Sequence, residues 1–589
     1  ESAQLLLFRR RLRSPEDQPL HLAHGAVPDA SATLAGWTTD RSEFVGRGGN
    51  VGAPVALTRG SDQLTRVTGC TLDPIFALAY ELGIPANGSA ELSFLTSTGL
   101  SAEEARANIE RFRTAQGIGW SFQEAAAHTE AQFAAARLSP VDGPQIQQFW
   151  SALIRPHSGL DSRPLEIEPG YRRLLWSVGV SGDLPIALIK VENEEGTDAL
   201  RTLIRIQHYL RKQLQEFDLI VLDEYAGGYT QPLRDRVRGF AERVGAAGWL
   251  NRSGGIFYLA GADLAAEVRA AINAHATFVG NAEEPLASQL ARWNTPEPAR
   301  LPPFEPIPSA PLASLTSAPV TRPADLLYDC GFGGFTADGR EYVIHLEPGQ
   351  QTPAPWSNVI ANAQFGALVT ESGSMCTWSG NSGERRLTTW NNDPVIDRSG
   401  EAIYLRDEET ADIWSPTPRP CGIGPHQIRH GAGYTRFLHN SHALDQRVRV
   451  FVPVDLPVKV VEITLANTSD RQRRITLTYF AEWVLGSQRA DTAADIVTRL
   501  ALDAGAILAR NPFSDSFGAR TAFLAGSDPV HSATGDRIEF LRGPHGLARP
   551  AGLDRIGLGG RFGARLDPCA ALQMHLDIGP HQTRTAYFL

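Results

Sequence analysis

Apolar and polar residues alternate through much of the C-terminal half of this chain. Residues 448–485, "VRVFVPVDLPVKVVEITLANTSDRQRRITLTYFAEWVL", keep a period of two, broken at Asp455-Leu-Pro and Asn467-Thr-Ser-Asp. Successive side chains of a strand face opposite ways, so this period predicts antiparallel strands joined by tight turns. Two further hairpins read the same way, "FALAYELGIPANGSAELSFL" at 76–95 and "ALQMHLDIGPHQTRTAYFL" at 571–589. After Leu95 the period lengthens. Ser101 and Glu104 make an S-x-x-E capping box, and Ala102, Ala105, Ile109 and Phe112 follow at helical spacing. Helical pattern continues through 121–138 and 143–156. Then "LPIALIKV", "FDLIVLDEY" and "GGIFYLA" are short apolar runs, each followed by a helical stretch (197–215, 231–247 and 263–275). Strand–helix alternation predicts parallel strands.

The predicted fold class is therefore mainly β with an α/β connector. A large antiparallel β-sandwich lies at the C-terminal end. A partial sandwich copy lies at the N-terminus, with helices and a small parallel α/β unit between. The copy shows as a repeat. Asp40-Arg41 matches Asp536-Arg537, and Leu72-Asp73-Pro74 matches Leu566-Asp567-Pro568, within Thr39–Leu95 and Gly535–Leu589. The second copy is preceded by far more sandwich-like sequence than the first. The expectation is a chain that starts inside a domain, as a segment of a longer polypeptide. The expected divisions are 1–98, the end of a first sandwich; 99–163, a helical linker; 164–294, the α/β connector; 295–323, a linker with nine prolines; and 324–589, the second sandwich.

Charge narrows the partners. Lys plus Arg is 55, Asp plus Glu is 65, and the formal charge is −10. No basic run suggests nucleic acid. No apolar run approaches the ~18 residues that cross a bilayer, so no membrane contact is expected from this segment. The five scattered cysteines form no CxxC pair and read as reduced, buried thiols of a cytosolic compartment.

The most polar stretch of interest is 378–393, "WSGNSGERRLTTWNND". A sugar site needs flat apolar faces together with amides, guanidinium groups and carboxylates. Trp378, Trp390, Asn381, Arg385, Arg386, Asn391, Asn392 and Asp393 supply both kinds. A structural loop with its indoles turned inward fits the composition equally well. Asp407, Glu408 and Glu409 are adjacent, which suits a hairpin turn better than a pair of catalytic carboxylates. Asp183 in "SGDLPI" reads as a turn or capping residue. His430, His439 and His442 lack the spacing of a zinc site. No nucleotide loop or nucleophile signature occurs, and no cofactor or metal is expected.

"APWSNVIANAQFGALVTESGSMCTWSGNSGERRLTTWNNDPV", "EAIYLRDEETADIWSPTPRP" and "RHGAGYTRF" resemble the N-terminal β-sandwich of the inverting β-glucan phosphorylases, the former glycosyltransferase family 36 that includes cellobiose phosphorylase. The order of sandwich tail, helices, "SGDLPIALIKV" and second sandwich resembles the cyclic β-1,2-glucan synthases, large bacterial inner-membrane proteins. The resemblance implies a glycosyltransferase or phosphorylase parent anchored in the inner membrane, with this segment on its cytoplasmic side. In the phosphorylases the general acid lies in an (α/α)6 barrel after the sandwich, and no such motif occurs here. What is implied is a carbohydrate-facing segment without catalytic residues of its own. Its partners would be β-1,2-glucan or a related oligosaccharide and the rest of the parent, above all that barrel. The 378–393 residues above, with His430 and Tyr434, would border the sugar. Two alternatives stand beside this: a self-contained glycoside phosphorylase or hydrolase using carboxylates such as Asp393 or Glu401, and a purely structural module.

Overall fold

The computed structural model describes residues 5–60, 64–154, 171–193, 196–225, 232–293, 301–306, 317–514, 518–543 and 545–589. Most of the proline-rich stretch 295–323 lies outside them. The chain divides into two compact units, Glu1–Ala134 with Asn392–Asp397, and Ala135–Asn391 with Arg398–Leu589.

In the first unit, Leu5–Arg9, His21–Pro28 and Leu92–Gly99 form an antiparallel sheet, and Ala32–Asp40 pairs with Pro74–Leu82. The helix Ala102–Arg111 lays Ala105 and Ile109 against Ala23. Ser101 caps it by accepting from the Glu104 N–H at 3.1 Å. The Glu104 carboxylate closes the box on the Leu100 N–H at 2.8 Å, one residue before the cap.

The second unit begins with the α/β layer. Its four parallel strands run in the order Ile256–Ala260, Asp218–Asp223, Ile186–Val191, Phe278–Asn281. The last strand, four residues long, is one that the apolar runs did not reveal. The helix Gly143–Ile154 also belongs here: Phe149 packs edge-on against Phe217 and Phe278, at 5.5 and 5.3 Å between ring centroids.

The sandwich follows. One sheet orders Gly333–Phe335, Glu341–Leu346, His426–Gly431, Tyr434–Ser441, Leu444–Phe451, Val460–Asn467 and Thr583–Phe588, all antiparallel. The other is built around Arg473–Gly486, which pairs with Glu401–Asp407 on one edge and Pro568–Ile578 on the other. Ile475, Leu477, Tyr479, Ala481 and Trp483 enter the core between the sheets. The opposite face is also covered, because Phe480 packs with Phe540, Leu553 and Leu558. That double burial explains why this strand reads as nearly continuous apolar sequence.

The repeat has a structural counterpart in each unit. Ala32–Asp40 leads into the short helix Arg41–Val45, and Val530–Asp536 into Arg537–Leu541. Both strands slip register just before the aspartate, which then sits opposite Pro74 or Pro568. Asp40 accepts from the Ser42 N–H at 2.8 Å and Asp536 from the Ile538 N–H at 3.0 Å. Arg41 pairs with Asp73 at 2.6 Å and Arg537 with Asp567 at 3.0 Å. Leu-Asp-Pro and Asp-Arg are thus two halves of one clamp. Asp40→Ala is expected to cost about 1 kcal/mol through the lost cap, read as a fall in the urea midpoint of the first unit. An unchanged midpoint would remove the cap from this account.

The five cysteines form no disulfide, and Cys376 and Cys569 are buried, but Cys70 and Cys330 are exposed, contrary to the expectation of buried thiols. Both lie outside the helices and strands. Among the described residues, no helix is long and apolar enough to cross a membrane, and no group of His, Cys, Asp and Glu could hold a metal ion.

Candidate functional site

Strand alternation sorts the residues of 378–393. On Met375–Ser379, Met375 enters the core and Thr377 and Ser379 line a cavity between the sheets. Trp378 therefore faces the other way. Its partner across the ladder is Gly366, where a Cβ would overlap the indole. The missing side chain lets the ring lie against the strand. Arg386 is the other neighbour of Trp378, so it shares that face. Its Nε donates to the Ser382 carbonyl at 2.9 Å and its guanidinium lies 5.6 Å from the Trp390 ring centroid. Trp378, Arg386 and Trp390 are all partly exposed. They form one aromatic–cationic group.

The other residues fall elsewhere. Asn381 closes its own turn, accepting from the N–H groups of Gly383 and Glu384 at 2.7 and 3.0 Å. Arg385, one residue from Arg386, lines the cavity side. Asn391 is exposed. Asn392 and Asp393 belong to the first unit. There Asp393 receives both arms of Arg41 at 2.9 Å and the N–H groups of Val395 and Ile396, also at 2.9 Å. Burial opposes its ionisation, but Arg41 and the two amides outweigh burial and hold its carboxyl below the usual range.

His430 and Tyr434 lie on the seven-stranded sheet. The Trp356 carbonyl can only accept, so His430 Nε2 carries the proton at 3.3 Å, and Nδ1 accepts from Thr435 at 3.0 Å. Burial pushes the imidazole down to about 4, so it is neutral at pH 7. Tyr434 lies over Gly431 as Trp378 lies over Gly366, and its hydroxyl donates to Glu341 at 2.5 Å.

The carboxylates considered for catalysis each have a cation. Asp407 pairs with Arg473, Glu408 with Arg406 at 2.8 Å, Glu409 with Arg471 at 2.7 Å and Glu401 with Lys459. Asp407 also accepts from the Glu409 N–H at 2.7 Å, inside the turn between Glu401–Asp407 and Ile413–Trp414. Asp183 pairs with Arg172.

Sequence reading did not single out the cavity. It has a volume of about 680 Å³. Glu401, Lys459, Tyr479 and Thr377 meet at its wall, on four separate strands or strand ends. The available signal was a charged residue inside apolar strand sequence, Lys459 in "VKVVEI" and Glu401 in "GEAIYL".

The family model described as the supersandwich domain of glycosyl hydrolase 94 matches residues 1–115 and 340–589. The chain belongs to the glycosyl hydrolase 94 supersandwich family. Both copies of the repeat fall within the match. The chain is 30% identical to the cyclic beta-(1,2)-glucan synthase NdvB of Rhizobium meliloti (strain 1021), over 97% of its own length and 20% of that protein's. It is 29% identical to the N,N'-diacetylchitobiose phosphorylase of Vibrio proteolyticus over 27% of its length, and 33% identical to the solabiose phosphorylase of Paenibacillus borealis over 26%. Each alignment spans 20% of the relative's length. This glycosyl hydrolase 94 relationship makes the chain part of a carbohydrate-active family.

Proposed function

We propose that the chain is the carbohydrate-facing, non-catalytic part of a β-glucan-processing enzyme of the cyclic β-1,2-glucan synthase type. The observation that carries this reading is the pairing of Trp378 with Arg386 on one face of their strands, with the Trp390 ring beside that guanidinium. Indole faces stack on the C–H side of a pyranose, and a guanidinium donates to its hydroxyls. The pairing of Glu401, Asp407, Glu408 and Glu409 with buried or half-buried cations supports the absence of acid catalysis from these residues. The chemistry then belongs to the remainder of the parent polypeptide, including an (α/α)6 barrel. That parent is anchored in the bacterial inner membrane, with this segment on the cytoplasmic side.

Titration of linear β-1,2-glucan into the full-length protein tests the surface. Trp378→Ala and Trp390→Ala are each expected to weaken binding by about tenfold, the loss of one stacking partner worth roughly 1.4 kcal/mol. Wild-type affinity in both variants would discard the surface. Cleavage of β-glucan by the 589-residue chain itself, with or without phosphate, would discard the non-catalytic reading.

A further inference from the structure

Trp390 has little of its own to fix its angle. The ring is partly exposed, and among the described residues its indole N–H has no hydrogen-bond partner. The backbone on either side has to aim it. Before the ring, Thr389 is tied to the sandwich. Its N–H donates to the Glu482 carbonyl at 3.2 Å and its hydroxyl to the Glu482 carboxylate at 2.8 Å. After the ring, Asn391 and Asn392 are exposed, and Asn392 bends the chain at φ +47°, a left-handed conformation that asparagine tolerates. The next fixed residue is Asp393. Its carboxylate takes both arms of Arg41 and two backbone N–H groups, all at 2.9 Å. A guanidinium that grips a carboxylate with two parallel bonds sets orientation as well as distance. Arg41 is in turn held by Asp73 at 2.6 Å.

The repeat makes this arrangement twice. Arg41 joins Asp73 to Asp393, and Arg537 joins Asp567 to Glu482. Glu482 secures Thr389, and Asp393 lies on the other side of the indole, so equivalent arginines hold both flanks of Trp390. The geometry points to Arg41 as a positioning residue: through Asp393 it sets the angle at which Trp390 presents its face to a β-glucan. This rests on the Trp378–Trp390 surface proposed above. A ring free to swing would have to be ordered by the sugar, at a cost in affinity.

Fluorine NMR of the full-length protein labelled with fluorotryptophan, with calorimetry on linear β-1,2-glucan, tests this. Arg41→Met is expected to shift or broaden the Trp390 line, assigned with Trp390→Phe. The line of Trp483, in the sandwich core, is expected to stay in place. Glucan binding is expected to weaken about fivefold, and to weaken no further when Arg41→Met is added to Trp390→Ala. Asp393→Asn is the milder variant, because its amide oxygen still accepts from the Val395 and Ile396 N–H groups, and it is expected to move the same line. The inference is overturned if neither variant changes the Trp390 line, or if Arg41→Met weakens glucan as much in Trp390→Ala as in the wild type. Wild-type affinity in Trp390→Ala would discard the sugar surface, whereas the fluorine line reads the Arg41 grip without sugar, so the two readings fail separately.

Discussion

Replacing Lys459 by methionine is expected to destabilise the sandwich by about 3–5 kcal/mol, because it strands a buried carboxylate. Glu401 is 1% exposed and lies between the sheets. Burial opposes its ionisation, but the Lys459 charge and the hydrogen bonds from Lys459, Thr377 and Tyr479 outweigh it and keep the group below the usual carboxylate range. Without the ammonium, burial prevails and the carboxyl must take up a proton or draw in water. The double variant Lys459→Met with Glu401→Gln tests the cause. A neutral amide still accepts from the hydroxyls, so most of the lost stability is expected to return. Urea unfolding followed by tryptophan fluorescence reads both. If the double variant is no more stable than the single one, lost packing of the lysine stem explains the effect, and the ion pair does not.

Acid is expected to begin weakening the same sandwich near pH 6.5, before carboxylates protonate. His430 is pushed by burial from 6.5 down to about 4, and His426 by burial and the stacked His439 down to about 3. His426 and His439 lie ring on ring, 4.2 Å between centroids, and the His426 Nδ1 meets only the Gly424 carbonyl. The folded values lie below the unfolded one, so between them the unfolded chain binds protons that the folded chain does not. Stability is therefore fully present above pH 6.5 and falls as pH drops from there toward about 4 for His430 and about 3 for His426. For His430 alone the loss over that window is about 3 kcal/mol. Unfolding midpoints across pH 4–7 measure it. His430→Asn is expected to flatten the curve, and an equally steep curve in that variant would exclude the histidine as the cause.

Much of the architecture was legible because it rests on local chemistry. Period two located the sandwich strands. Asp40-Arg41 and Leu72-Asp73-Pro74 announced the repeat because a cap, an ion pair and a register slip all demand those residue types. The strand Phe278–Asn281 escaped because four residues with a central Gly280 leave no period to read; its pairing with Ile186–Val191 in the parallel sheet defines it. The 378–393 stretch was legible as chemistry and opaque as geometry. Composition pooled Arg385 with Arg386, and only the pleat separates them, one toward the cavity and one toward Trp378 and Trp390. Asp393 was out of reach for another reason. Its partner Arg41 is 352 positions away, and no local pattern encodes a distant ion pair.

That separation also bears on how the polypeptide is made. The first unit includes Asn392–Asp397, whose Val395 carbonyl accepts from Gly48 at 2.6 Å and whose Asp393 clamps Arg41. A ribosome releases the chain in order, at roughly 5–20 residues per second, so about 250 residues must follow Ala134 before this strap exists. For tens of seconds the nascent first unit would hold Arg41 with only Asp73 to meet it. Translation speed through the α/β layer and the early sandwich strands then sets how long that unfinished surface is exposed to chaperones and proteases.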